Sequence, residues 1–169
     1  MNDIKRLTEG LKKAIQAEIE GYHFYMMAAQ NTSDAKGRDV FQMLASEEQV
    51  HANFLRAQFK SFTESGKADH SVKLGKPNIL DSGSPIFSVS LKERIESAHY
   101  EMTALSIGIQ LELNAVKFYR GEMEASEDAD VKAFYKDLME WEQGHYKALL
   151  KQHDNLKEDF WSQANFAPF

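Results

Sequence analysis

Shifted against itself by 94 positions, the chain places Glu18 on Glu112, Tyr25 on Tyr119, Glu48 on Glu142 and His51 on His145 without a gap. Leu11, Ile15, Gln16, Phe24, Asp34, Ala35, Leu44, Gln49 and Leu55 also fall on identical residues, which makes thirteen identities across positions 11–55. Amphipathic periodicity alone does not dictate Glu or His, so the two halves read as copies of one unit. Any fold for this chain has to be built from that unit twice.

The unit is a helical hairpin. Apolar residues recur at steps of three and four in four long stretches, as they do when a helix buries one stripe. The first stretch carries Leu11, Ile15, Glu18, Tyr22, Tyr25 and Ala29, and the second Phe41, Leu44, Glu48, His51, Leu55 and Phe62. The third carries Met102, Leu105, Ile109, Glu112, Val116 and Tyr119, and the fourth Val131, Tyr135, Leu138, Glu142, His145 and Leu149. Turn and capping residues at Asn31-Thr32-Ser33-Asp34 and Ala125-Ser126-Glu127-Asp128 join each pair, making the partners antiparallel. Between the pairs, Gly66, Gly75, Pro77, Gly83 and Pro85 break the pattern over a length that crosses a bundle. The expectation is an all-α four-helix bundle in one domain, with hairpin one at 8–62, a crossover at 63–89, hairpin two at 90–157 and an aromatic tail at 158–169. Ser90-Leu91-Lys92-Glu93 reads as a capping box opening a short helix ahead of the third long one.

The middle of each stripe is ionisable, and composition narrows what that can mean. With no cysteine among 169 residues, disulfides, thiolate nucleophiles, iron–sulfur clusters and cysteine-held zinc are excluded, so a metal would have to rest on Glu, Asp and His. A net charge of −6 without a basic run speaks against a nucleic-acid partner. The apolar stretches are short and broken by charge, so no membrane partner and a cytoplasmic location are expected.

Glu18 lies 14 residues before Thr32 and Glu48 lies 16 after it, and Glu112 and Glu142 stand in the same relation to Ser126. At about 1.5 Å of rise per residue, the members of each pair come to nearly one height. Glu48 with His51, and Glu142 with His145, are spaced i to i+3 and project from one helix face. Burying four unpaired carboxylates costs several kcal/mol each, and the stripes offer almost no Lys or Arg, so two divalent ions are the natural counter-charge. Oxygen and imidazole donors suit iron, with manganese or zinc also compatible by ligand type. The metal site is therefore expected at Glu18, Glu48, His51, Glu112, Glu142 and His145. One Glu from each of two helices plus Glu-x-x-His from each of the other two is the general ferritin-like di-iron arrangement.

Two further Glu-x-x-His pairs, Glu20/His23 and Glu96/His99, do not repeat and read as solvated surface pairs, as do His70 and His153. Tyr25 and Tyr119 read either as ordinary core aromatics or, as their position favours, as residues behind the metals bonded to the bridging carboxylates. Glu47 reads as an exposed helix residue that could alternatively orient a metal-bound His through its second nitrogen, a role closed to its counterpart Trp141. Met26, Met27 and Met102 read as core fillers.

The spacing of Glu18 to Tyr25, Glu48-Gln49-Val50-His51, Glu112 to Tyr119 and Glu142-Gln143-Gly144-His145 resembles the rubrerythrin branch of the ferritin-like superfamily, across about residues 8–156. The resemblance implies a non-haem di-iron centre acting as an oxidoreductase on peroxide or oxygen. It also implies a separate electron donor protein, since the rubredoxin module of rubrerythrin proper needs cysteines. Rubrerythrin peroxidase chemistry is associated with an extra Glu one turn after the third-helix ligand, where this chain has Ala115, and that departure points toward a ferroxidase or oxidase cycle. Ferritin-type iron storage is the alternative, and a di-iron oxygenase would need a pocket beside the metals. The apolar surface and aromatic tail suggest a homodimer.

Overall fold

A computed structural model describes residues 2–75, 85–93 and 98–163. Among these residues the chain is helical throughout its elements, with α1 at Asn2–Asn31, α2 at Ala35–Ser65, α3 at Val89–Glu93, α4 at His99–Ala125 and α5 at Ala129–Gln163. α1 packs along α2, α4 along α5, and α1 also lies against α4. This is the all-α bundle that the repeated stripes predict.

Local chemistry sets the turns. Asp34 has an extended backbone and its carboxylate accepts from the Gly37 amide, which caps α2. At the other end of α2, Gly66 adopts φ 69° and donates its amide to the Phe62 carbonyl, a left-handed ending that glycine reaches without steric cost. In hairpin two, Asp128 Oδ1 accepts from the amides of Asp130 and Val131 at the start of α5. The hairpins are then tied together at one end, where Glu101 on α4 accepts from the Thr32 hydroxyl at 2.8 Å and the Ser33 amide at 3.2 Å.

The end of the crossover docks at that same place. Ile86 and Phe87 are buried, the Ile86 amide donates to Gln152 Oε1, and the Ser88 amide donates to the Asp34 carboxylate. Phe87 seats on bare backbone, because a Cβ on Gly37 would lie 2.6 Å from its ring. Val131 occupies the repeat position of Gly37, so only hairpin one accepts this aromatic.

The boundaries differ from expectation in three places. α1 starts at Asn2 rather than near Thr8, as the Leu7 contact with the core extends the stripe backward. The short helix opens at Val89, one residue before Ser90. α5 runs on to Gln163, and Phe160 packs against the core instead of standing in a separate tail. Residues 76–84 of the crossover, Glu96 and tail residues 164–169 lie outside the described residues.

The apolar core is split. One cluster surrounds Tyr25, Phe41, Leu44, Phe87, Leu105 and Leu149, and the other surrounds Leu11, Leu55, Phe62, Tyr119, Tyr135 and Leu138. Between them, at mid-bundle, lies a buried layer of acids and imidazoles.

Candidate metal centre

Glu18, Glu48, His51, Glu112, Glu142 and His145 are all 5 % exposed or less. Their donor atoms fall into two groups, each spanning no more than 4.8 Å: Glu18, Glu48, His51 and Glu142 in one, and Glu48, Glu112, Glu142 and His145 in the other. Glu48 and Glu142 belong to both. α1 and α4 thus each bring one carboxylate to a single group, while α2 and α5 each bring one His and one carboxylate common to the two groups.

Both imidazoles turn Nδ1 toward the acids. His51 Nδ1 lies 3.2 Å from Glu18 Oε2 and 2.9 Å from Glu142 Oε1. His145 Nδ1 lies 3.3 Å from Glu142 Oε2 and 3.7 Å from Glu112 Oε2. Glu48 Oε1, both Glu142 carboxylate oxygens and His145 Nδ1 are buried without a hydrogen-bond partner. Buried polar atoms are nearly always satisfied, so these orphaned donors, pointed at one another, fit a pair of cations. The donor set of four carboxylates and two imidazoles balances two divalent ions, with the imidazoles neutral.

The electrostatics carry the same strain. Burial, followed by repulsion from Glu142 and Glu112, pushes Glu18 well above the usual carboxylate range, and burial with repulsion from Glu18 does the same to Glu48. Burial and Glu142 raise Glu112 to about 7. Burial would also raise Glu142, but the charge on His51 and the close approach of the His145 and His51 nitrogens outweigh it and hold the group low. The imidazoles lose affinity for a proton through burial and regain more from the acids, Glu142 beside His51 and Glu112 beside His145, so both end above their ordinary value. Without cations, the layer can exist only by sharing protons among six groups.

The tyrosines cross between the halves. Tyr25 on α1 donates to Glu112 on α4, and Tyr119 on α4 donates to Glu18 on α1. Their targets are the carboxylates confined to one donor group, not Glu48 and Glu142, which belong to both. The reason is geometric: each tyrosine sits two turns beyond its own helix's acid and meets the helix packed alongside, which is α4 for α1 and α1 for α4.

Glu47 is not exposed. It is buried at 3 % and its Oε2 lies 2.6 Å from His145 Nε2, so that nitrogen donates to a carboxylate while Nδ1 faces the acids. Its repeat mate Trp141 stands edge-on to His51 at 4.7 Å between ring centroids, and His51 Nε2 has no hydrogen-bond partner. Periodicity placed Glu47 at the margin of its stripe. The sequence signal was its place beside Glu48, and its burial follows only from packing against α5. Met27 is also misjudged as a core filler, being 49 % exposed, whereas Met26 and Met102 do pack against the core. Glu20, His23, His70 and His99 are exposed.

Among the described residues no helix is long and apolar enough to cross a membrane. The family model described as Rubrerythrin matches residues 9–153, a span that contains every residue of the buried layer. Comparison with curated proteins and with solved structures gives no match.

Proposed function

Since the chain belongs to the rubrerythrin family, we propose that its buried layer holds two iron ions and that the protein is an oxidoreductase reducing peroxide or oxygen as ferrous iron is oxidised. The observation that carries this reading is the pair of overlapping donor groups sharing Glu48 and Glu142. Two separate mononuclear sites would not need common carboxylates. Iron, when bound, would supply the electrons for the reduction.

The chain's own residues have definable work in such a cycle. Glu18 with His51, and Glu112 with His145, would each hold one ion, and Glu48 and Glu142 would hold both. Tyr25 and Tyr119 keep Glu112 and Glu18 oriented by donating to them, and because burial raises the Tyr25 hydroxyl well above its ordinary range, it stays protonated as a donor. Glu47 fixes the His145 ring so that Nδ1 is the free nitrogen. Electrons would come from a separate donor protein, because these 169 residues contain no cysteine for a thiolate-held relay. Manganese or zinc could enter the same donors.

Stopped-flow mixing of the ferrous-loaded protein with peroxide, and separately with oxygen, tests the reading. Oxidation faster than that of free ferrous iron under the same conditions is the expected result. Rates no faster than those of free ferrous iron, with both oxidants, would leave the protein a metal binder without this activity.

A further inference from the structure

A cavity of about 280 Å³ opens between α1 and α4 and ends on the carboxylates of Glu18, Glu48 and Glu112. Its lining residues Lys13, Glu20 and Asn114 are exposed and mark the mouth. Ala17, also exposed, stands at the mouth on α1, and Gly21 on one side with Leu111, Ala115 and Phe118 on the other line the passage between. Bundle interiors are packed to the density of organic crystals, and here that packing is interrupted by a space that runs from solvent to the buried layer.

Two features show that it reaches the donors. A Cβ on Gly21 would lie 2.8 Å from Glu48 Oε2, so the Glu48 carboxylate rests on bare backbone and borders the space. Glu48 Oε1 is buried and has no hydrogen-bond partner. The opposite flank, between α2 and α5, is filled by Glu47, Trp141 and the two imidazoles. Access to the layer is therefore from the α1–α4 side.

Resting on the di-metal reading above, we propose that this cavity binds an uncharged, largely apolar organic molecule about one ring in size and presents it to the metal pair. Peroxide and oxygen have two heavy atoms and need no such space. The volume is nearly twice the roughly 150 Å³ that accommodates benzene in an apolar core, and just short of the ~300 Å³ at which pockets for drug-sized ligands begin. The walls offer apolar surface, while Lys13 and Glu20 at the mouth cancel and the four acids are matched by two divalent ions. No net charge remains to hold an ionic ligand.

Zinc-loaded protein, which is redox-silent, can be titrated with fluorobenzene and with para-fluorobenzoate by fluorine NMR. Fluorobenzene should bind at least about tenfold more tightly than the benzoate. Ala115→Leu on α4 and Ala17→Leu on α1 should each weaken it by about tenfold or more while zinc stoichiometry stays at two. Should both variants fail to fold, a nuclear Overhauser contact between the ring and the Ala115 or Ala17 methyl in the unaltered protein decides the matter. Absence of fluorobenzene binding to the zinc-loaded protein, or binding indifferent to both substitutions, overturns the proposal. So does a result in which Ala115→Leu slows only oxidation by peroxide, since the cavity would then be an oxidant passage. If zinc does not bind, the di-metal reading falls instead, and the same titration of the metal-free protein judges the cavity by itself.

Discussion

The two hairpins carry the same acids, the same imidazoles and the same tyrosines, yet they treat their histidines differently. His145 leans on a carboxylate, Glu47, at 2.6 Å. His51 meets the edge of an indole, Trp141, and its outer nitrogen is unbonded. A carboxylate behind an imidazole fixes its tautomer and raises its basicity, and an indole does neither. The symmetry of the donors thus coexists with an asymmetry one layer out, and two ions held in this layer would be held unequally.

Glu48→Ala tests the part that is symmetric and should have the largest effect, because Glu48 is common to both donor groups. Both ions should be lost in a metal-binding titration, whereas Glu112→Ala should lose one. Loss of a single ion from Glu48→Ala would mean that the groups do not share it.

Glu47→Ala addresses the asymmetry. Affinity at one position should fall by about 10- to 100-fold with the other unchanged. Trp141→Phe should leave both affinities close to those of the parent. A uniform fall at both positions in the Glu47 variant would break the comparison.

The metal-free protein should respond to pH in a direction opposite to most acid-rich proteins. Glu112 titrates near 7 when folded against an ordinary 4.5, and Glu18 and Glu48 are also raised, so the native state holds protons that the unfolded chain has released. That contribution is complete below 4.5 and is lost as pH rises through about 7. His51 and His145, raised above 6.5, add stability that is full below that value and is likewise lost as pH rises. Glu142, held low, adds stability above 4.5 that is lost only in acid. Melting in the presence of chelator should therefore occur at lower temperature on the alkaline side of neutrality, while zinc affinity rises there because ions displace protons. A melting temperature that climbs across neutrality would contradict the shared-proton account. Glu18→Gln and Glu112→Gln should each flatten the slope, one from either hairpin.

The smallest effects are expected from the tyrosines. Tyr25→Phe and Tyr119→Phe each remove one donor from a buried carboxylate, which costs about 1–3 kcal/mol. The two losses should match in thermal melts of the zinc-loaded protein. A marked inequality would extend the asymmetry of the histidines to the opposite side of the layer.

Legibility in the sequence followed locality. The six donors were readable because a repeat exposes residues that periodicity cannot explain, and equal counts to Thr32 and Ser126 set their heights. Tyr25 and Tyr119 were visible as second members of the motif, but which acid each would meet depended on the packing of α1 against α4. Glu47 was ambiguous for the same reason: its side chain is positioned by α5, ninety-eight residues away. The small residues Gly21 and Ala115 are plain in the sequence, yet a cavity exists only when two helices are set a certain distance apart. Helix ends failed where core contacts from Leu7 and Phe160 carried the helices past the punctuation.

Each donor group draws on both hairpins, since Glu142 completes the set around His51 and Glu48 completes the set around His145. A lone hairpin could reproduce the layer only by pairing with a second copy of itself, and such a pair would necessarily put the same side chain behind both imidazoles. Glu at 47 and Trp at 141 can differ only because one polypeptide spells out the two copies separately. Covalent fusion, in that sense, is what gives the centre a left and a right.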